Sequence, residues 1–509
     1  MRNNKILKNT LALYTRQIII ILISLYTVRV VLNALGIENY GIYSVVAGFV
    51  ALLAFLPGTM ASATQRFFSF AIGQKNDLSL KQTFSVNWLM YAGIALLAFI
   101  ILQTIGLWFV TEHLKIPDDK YEAAVILYQM VAISFVFSIF SSPFIAIVIA
   151  HEDMHLFALI SVVDAILKLT AALLLNHIQG DVLELYGQFL LLTAAITTSI
   201  YIFICLKRYT ECQFKKIYWN KVLLKEILGF TGWTLMGQLS TVFRNQAVTV
   251  IINQLFNPAT VAARTIALTV SSQVMVFSSN LNTGLYPPII KSYAAGQKED
   301  MLSLISNGSK LTFFLMWVFA LPMILEMNTI LNIWLKTPPP EALLFTQLAL
   351  VESLILSISL PIATAARAPG KMKLYELSLG SIQILIFVFS WLVLKLGYSA
   401  SSVFVVAIVA NLSMFQVRLI IVNRLIDLPL APYYKVVLIP VMLVILLSAL
   451  PSMATHYLLP DGLLSTAIVI VVSMASATTS MYFIGLDKNW RIKVKQVFVN
   501  RLLKFGKKK

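Results

Sequence analysis

The chain is built around apolar runs of about 20 to 30 residues, separated by short stretches that hold most of its charge. Wound as a helix that rises about 1.5 Å per residue, such a run crosses the ~30 Å hydrocarbon layer of a bilayer. A backbone in lipid must satisfy its own hydrogen bonds, and these runs are longer than the roughly ten residues of a barrel strand. The fold class is therefore all-α, a polytopic membrane protein. Composition agrees: 59% of the 509 residues are hydrophobic and 12% charged, with a mean hydropathy of +0.84, far from soluble usage.

Charged and Pro/Gly breaks divide the apolar runs into about fourteen spans. They fall at 11–35, 40–71, 84–110, 121–150, 156–175, 183–206 and 227–256, then 261–290, 311–335, 343–366, 374–396, 399–425, 434–459 and 463–486. Of the 39 Lys and Arg, 28 fall in the loops on the side that holds both termini. Four (Lys115, Lys120, Lys336, Lys395) fall on the other side, and seven lie within spans. Positive charge stays inside, so both termini are expected in the cytoplasm. The N-terminal run holds Arg16 and Arg29 and no small-residue cleavage pattern, which reads as a retained first span.

The expected organisation is an N-terminal lobe (1–206), a basic cytoplasmic linker (207–226), a C-terminal lobe (227–425), two further spans (426–486) and a basic tail (487–509). In the tail Trp490, Val494, Val497 and Phe498 are spaced like an interfacial helix. No loop exceeds about 20 residues, too short for an independent domain. Nor is there a GxxxxGK[ST] loop for ATP. These observations exclude a fused catalytic domain, and the chain is expected not to be an enzyme and to need no cofactor. The net charge of +17 sits where orientation and anionic membrane lipids explain it, so nucleic acid is not an expected partner. Cys205 and Cys212 are the only cysteines, too few for a disulfide framework.

An internal repeat is visible. Phe70-Ala-Ile-Gly-Gln-Lys-Asn-Asp77 returns as Tyr293-Ala-Ala-Gly-Gln-Lys-Glu-Asp300, each at the end of the second span of its half, and Asn33-Ala-Leu returns as Asn253-Gln-Leu. Spans one to six and seven to twelve are thus expected to form two lobes related by an axis along the membrane normal, a plan on which many secondary transporters build a central site.

The run Ser24-Leu-Tyr-Thr-Val-Arg-Val-Val-Leu-Asn33-Ala-Leu-Gly36-Ile-Glu-Asn-Tyr-Gly41-Ile-Tyr43 resembles the start of polysaccharide and O-antigen flippases of the multidrug/oligosaccharidyl-lipid/polysaccharide (MOP) exporter superfamily. Ser62-Ala-Thr-Gln-Arg66-Phe and Tyr286-Pro-Pro-Ile-Ile-Lys291-Ser-Tyr-Ala-Ala-Gly296 are similar to its signatures in spans two and eight. The resemblance implies a MATE-like fold in the bacterial inner membrane. It also implies an undecaprenyl-diphosphate-linked oligosaccharide as substrate, moved to the outer leaflet by alternating access. Polysaccharide polymerase and chain-length regulator are the partners it suggests, besides membrane lipids.

Polar groups inside spans point to a site because lipid penalises them. Gln238, Thr241, Asn245 and Thr249 recur on one face of span seven with Arg244 at its edge, and Thr265, Thr269, Gln273, Asn280 and Thr283 recur in span eight. Helix-to-helix hydrogen bonding is the plain alternative. Six of the 12 Arg lie within spans (Arg16, Arg29, Arg66, Arg244, Arg264, Arg418), against one of 27 Lys, Lys168. A guanidinium fork suits phosphate oxygens better than a point charge does. Asp164, Glu326 and Glu352 are the acids deep in the spans, so a cationic cavity is expected. Its candidate substrate-binding residues are Arg244, Arg29, Arg264, Arg16, Gln238, Asn245, Gln273 and Asn280. Arg66 and Arg418 lie near span ends, where they can snorkel. Asp164 and Lys168, four apart, can neutralise one another.

His151-Glu-Asp-Met-His155 fits the HExxH pattern of zinc hydrolases, which makes an intramembrane metalloprotease the remote alternative. Its third ligand is missing: Asp461 belongs to the opposite side of the membrane. No metal site is expected. Nearer alternatives are a lipid II flippase and a multidrug cation exporter of the same superfamily. Such exporters usually have twelve spans and often an acid in span one, whereas Leu11 to Leu35 holds none.

Overall fold

Every regular element among the described residues is helical. The computed structural model describes residues 2–487 apart from 52, 114–115, 176, 336 and 461, together with Arg491. The expected interfacial helix of the tail and Asp461 lie outside these residues. In chain order the helices are α1 (Arg2–Ala51), α2 (Phe55–Gly73), α3 (Asp77–Ile101), α4 (Leu107–His113), α5 (Tyr121–Ala150), α6 (Met154–Leu174), α7 (Val182–Arg208), α8 (Lys221–Leu255) and α9 (Pro258–Ala294). They continue as α10 (Lys298–Leu335), α11 (Ala342–Arg367), α12 (Met372–Lys395), α13 (Ser402–Ile426), α14 (Leu430–Tyr433), α15 (Ile439–Leu458) and α16 (Leu463–Ser480).

Among the described residues twelve stretches are long and apolar enough to cross a membrane, and they match twelve of the fourteen expected spans. The second and seventh are helical too, without meeting that standard. The seventh, on α8, carries the polar stripe. The second holds a turn at 53–54 before α2, and between the first and second spans Gly36 adopts φ 74° and ψ 169° inside α1, a conformation that favours glycine.

The repeated segments form the same helix-ending turn, in which one residue turns left-handed and two amides reach back to the last helical carbonyls. In the first copy the left-handed residue is Lys75, with Asn76 N–H donating to Ala71 O (3.2 Å) and Lys75 N–H to Ile72 O (3.1 Å). In the second it is Gly296, with Gln297 N–H to Ser292 O (2.9 Å) and Gly296 N–H to Tyr293 O (3.1 Å). The turn is thus shifted by two residues relative to the matched letters. A further correspondence appears between α5 and α11. Pro143 and Pro361 each lie nine residues before a left-handed residue (Glu152, Gly370) and eleven before the start of the next helix (Met154, Met372).

The chain forms two compact units, and the division falls inside helices rather than at the basic linker. Unit one comprises Met1–Gln238 with Tyr286–Gln297; unit two comprises Leu239–Leu285 with Lys298–Lys509. In unit one α5 packs against α1, α2, α3, α6 and α7, consistent with its being apolar on all sides. A π-helical turn at Leu102–Gly106 joins α3 to α4, and the Tyr128 hydroxyl on α5 donates to the Leu102 carbonyl there (2.6 Å). In unit two α10 packs against α11, α15 and α16, and α13 against α11 and α12. Polar contacts fasten the last two spans to α10: Lys310 pairs with Asp487 (3.0 Å), Trp317 Nε1 donates to Ser448 Oγ (2.9 Å), and Glu326 binds His456 (2.7 Å) and Thr466 (2.7 Å).

Candidate functional site

Unit one has an open cavity of about 830 Å³ among α1, α5, α6 and α7. Arg16, Ile20, Ser24 and Thr27 line it from α1 at helical spacing, so one face of that span is turned to it. Asp164 and Lys168 line it from α6, paired at 2.8 Å as their spacing suggested. Thr197 on α7 donates to the other Asp164 oxygen (3.1 Å). Arg16 lies over the Phe157 ring (4.7 Å). Ser134, Ser138 and Ser161 also line the cavity while donating to carbonyls of their own helices, which leaves their oxygens able to accept hydrogen bonds. The charged lining is two cations and one carboxylate, a surplus of positive charge.

Unit two holds a second polar cluster. Arg244 Nη1 pairs with Glu352 Oε1 on α11 at 3.0 Å, with the two side chains only 11% and 8% exposed. Its Nη2 donates to Asn245 Oδ1 (2.9 Å), and Asn411 Nδ2 on α13 donates to the same Glu352 oxygen (3.0 Å). Arg264, buried on α9, donates through Nη1 to Thr249 Oγ1 (2.6 Å). The space between Arg244, Arg264 and Glu352 is about 20 Å³, room for one water-sized group and not for a diphosphate.

The eight candidates are thus dispersed. Arg244, Asn245 and Arg264 meet in the second cluster, and Arg16 lies in the cavity of unit one. Arg29, Gln238 and Gln273 are exposed, and Asn280 is buried on α9. The stripe's threonines mostly satisfy themselves: Thr249, Thr265, Thr269 and Thr283 each donate to the carbonyl four residues back. These hydroxyls thus close on their own helix, where the stripe was expected to line a cavity and bonds between helices were the plain alternative. Arg66 is buried against the rings of Phe67 (4.7 Å), Phe70 (5.0 Å) and Phe230 (5.6 Å). Two participants were missed as such. Glu352 and Asn411 close around Arg244 from other helices, and isolated polar residues in spans ten and twelve were their one signal.

The HExxH letters do not lie on one helix. His151 ends α5 and His155 follows the start of α6, so a turn separates them, and Glu152 in that turn has φ 64°. Each polar residue of the turn is engaged: His151 with Glu211 (2.6 Å), Glu152 with Lys291 (2.7 Å), and Asp153 with Arg208 (3.2 Å) and Tyr209 (2.7 Å). Among the described residues no group of three His, Cys, Asp or Glu is placed to hold a metal ion.

The MatE family model matches residues 234–392. No curated protein matches the sequence. Among solved structures, the outward-facing conformation of a multidrug resistance MATE family transporter of the MOP superfamily is similar, with a TM-score of 0.68 at 14% identity over 84% of this chain and 96% of that one. A mutant of the Vibrio cholerae MATE transporter VcmN gives 0.63 at 16% identity over 83% and 96%. A MOP superfamily transporter from Pyrococcus furiosus, described as having a binding pocket of reverse polarity that suggests a different function, gives 0.62 at 15% over 82% and 96%. The chain is a multi-pass, all-helical membrane protein with the MATE fold and a MatE match over residues 234–392.

Proposed function

We propose that the protein is an alternating-access transporter that carries a polyprenyl-diphosphate-linked oligosaccharide from the inner to the outer leaflet of the bacterial cytoplasmic membrane, with both termini in the cytoplasm. The observation that carries this reading is the charge of the unit-one cavity. Arg16, Lys168 and Asp164 are the charged residues of its lining, two cations to one carboxylate. Such a lining favours an anionic head group, and its hydroxyl oxygens suit sugar. Arg16 is the residue assigned to the diphosphate. Arg244 would reach a phosphate only by exchanging Glu352 for it, and Arg264 only by releasing Thr249, so they serve a later step or hold the helices together.

A second reading, export of cationic drugs, is favoured by the likeness to a multidrug resistance transporter and by twelve stretches meeting the membrane criterion. Asp164 would then take the drug in place of Lys168. Deletion of the gene separates the two. The first reading expects lipid-linked oligosaccharide to accumulate on the inner leaflet with loss of surface polysaccharide. Normal surface polysaccharide with heightened sensitivity to cationic drugs would replace it by the second.

A further inference from the structure

The segment joining α7 to α8, residues 209–220, has no regular structure, yet it is fixed along the side of α3. The ring of Phe214 meets those of Phe84 (5.8 Å) and Trp88 (5.2 Å). Tyr218 N–H donates to Ser85 Oγ (3.1 Å), and Asn220 Nδ2 to Gln82 Oε1 (3.1 Å). Asn220 also caps α8, its Oδ1 accepting from the amides of Val222 and Leu223 (both 3.1 Å).

The depth of this segment can be read from α3. The membrane stretch Asp77–Glu112 carries Trp88 and Trp108, twenty residues apart. At about 1.5 Å per residue that is ~30 Å, the thickness of the hydrocarbon layer, and tryptophan settles at both of its boundaries. Trp88 therefore marks one interface, and the segment packed on it lies at the level of the lipid head groups.

Its outward side has two kinds of residue. Ile217, Trp219 and Val222 are 57%, 53% and 69% exposed although the backbone beside them is anchored. Lys215, Lys216, Lys221 and Lys225 are also exposed, and no Asp or Glu occurs between Cys212 and Glu226. Lys216 and Lys81 lie over the Tyr218 ring at 5.2 and 6.0 Å, which holds positive charge on this side of the segment. Apolar side chains at that depth enter the acyl boundary while ammonium groups reach the phosphates.

We propose that residues 213–225 form a binding surface for anionic phospholipids of the bilayer, in which the four lysines hold head-group phosphates and Trp219, Ile217 and Val222 insert between the chains. Lysines, being hydrated point charges, suit exchangeable head groups better than a clamped ligand. The surface is independent of the cargo and of which unit binds it.

The test reconstitutes the full chain in phosphatidylcholine vesicles containing either brominated phosphatidylglycerol or brominated phosphatidylcholine. The emission of Trp219 is taken as the difference between wild type and Trp219→Phe. The anionic lipid should quench it as though enriched about fivefold or more around the segment. Added salt should remove that enrichment. The Lys215→Gln/Lys216→Gln/Lys221→Gln/Lys225→Gln variant should be quenched equally by both lipids. Equal quenching of the wild type at low salt would overturn the anionic preference. Absence of quenching by either lipid would show a segment facing water or a protein partner. The salt series on wild type decides the matter even if the fourfold variant fails to insert.

Discussion

Arg244 shows what a single intramembrane charge demands. An arginine deep in a span costs at least about 2.5 kcal/mol on insertion scales, and here Glu352 offsets it from α11 at 3.0 Å with Asn411 on the same oxygen. Removing one partner strands the other, which for a buried pair costs about 3–5 kcal/mol. Arg244→Ala and Glu352→Gln should each lower the melting temperature of the detergent-solubilised protein sharply, and Arg244→Met/Glu352→Met should recover much of the loss. Unchanged melting in either single variant would mean that the pair contributes nothing. Glu211 behaves differently because it lies in the α7–α8 connection, outside the spans. Burial raises its carboxyl pKa, but hydrogen bonds with His151, a backbone amide and Thr210, together with the charge interaction with His151, outweigh that, and it titrates below its ordinary value. The native state then gives up this proton more readily than the unfolded chain. The stability it adds is complete above the ordinary carboxyl range and is lost as pH falls below it. The gap in melting temperature between wild type and Glu211→Gln should therefore hold steady down to about pH 5 and narrow as pH falls below about 4, and a gap that stays constant through that acid range would contradict this. At this scale the sequence exposed the Asp164–Lys168 pair, because its partners are one helical turn apart. It concealed Arg244–Glu352, whose partners are on different helices and meet only through tertiary packing.

At the scale of elements, the spans were legible because their length is imposed by the bilayer, and each helix that crosses lipid must close its own hydrogen bonds. The turns were less so. The letters shared by 70–77 and 293–300 mark the same helix-ending turn, yet its left-handed residue is Lys75 in one and Gly296 in the other; a turn is set by backbone geometry, which several residue types can adopt. The second span, expected at 40–71, is helical on both sides of a turn at 53–54 that leaves the apolar run uninterrupted. Gly73 has a role that only packing reveals: a Cβ there would lie 2.8 Å from both the Ala294 Cβ and the Lys291 carbonyl, so the end of α2 rests directly on the C-terminal end of α9. Gly73→Leu should force the two apart and destabilise the protein by about 1–3 kcal/mol, measured as a lower melting temperature. An unaltered melt would mean that this contact yields freely.

For the whole molecule, the same physical demand explains why the fold was readable and the site only partly so. Apolar length and the bias of Lys and Arg among loops are properties of one segment at a time, and they suffice for an all-helical, multi-pass protein. A cavity depends on which faces converge. Arg16 was a candidate by residue type alone, and the serines, threonines and Asp164 that share its cavity come from α1, α5, α6 and α7. The same convergence left Arg29, Gln238 and Gln273 exposed. The central claim is that the surplus positive charge of the unit-one cavity selects an anionic, sugar-bearing lipid, and it is tested most directly by purified protein in vesicles. Vesicles loaded with a polyprenyl-diphosphate oligosaccharide are treated with a membrane-impermeant periodate, which oxidises only the sugar in the outer leaflet. The account predicts that wild-type protein brings the inner-leaflet sugar to the reagent, that Arg16→Gln slows this by about tenfold or more, equivalent to losing one charge-assisted hydrogen bond of about 1.5 kcal/mol, and that a cationic dye is not carried. Vesicles in which the dye crosses while the sugar stays protected would contradict it.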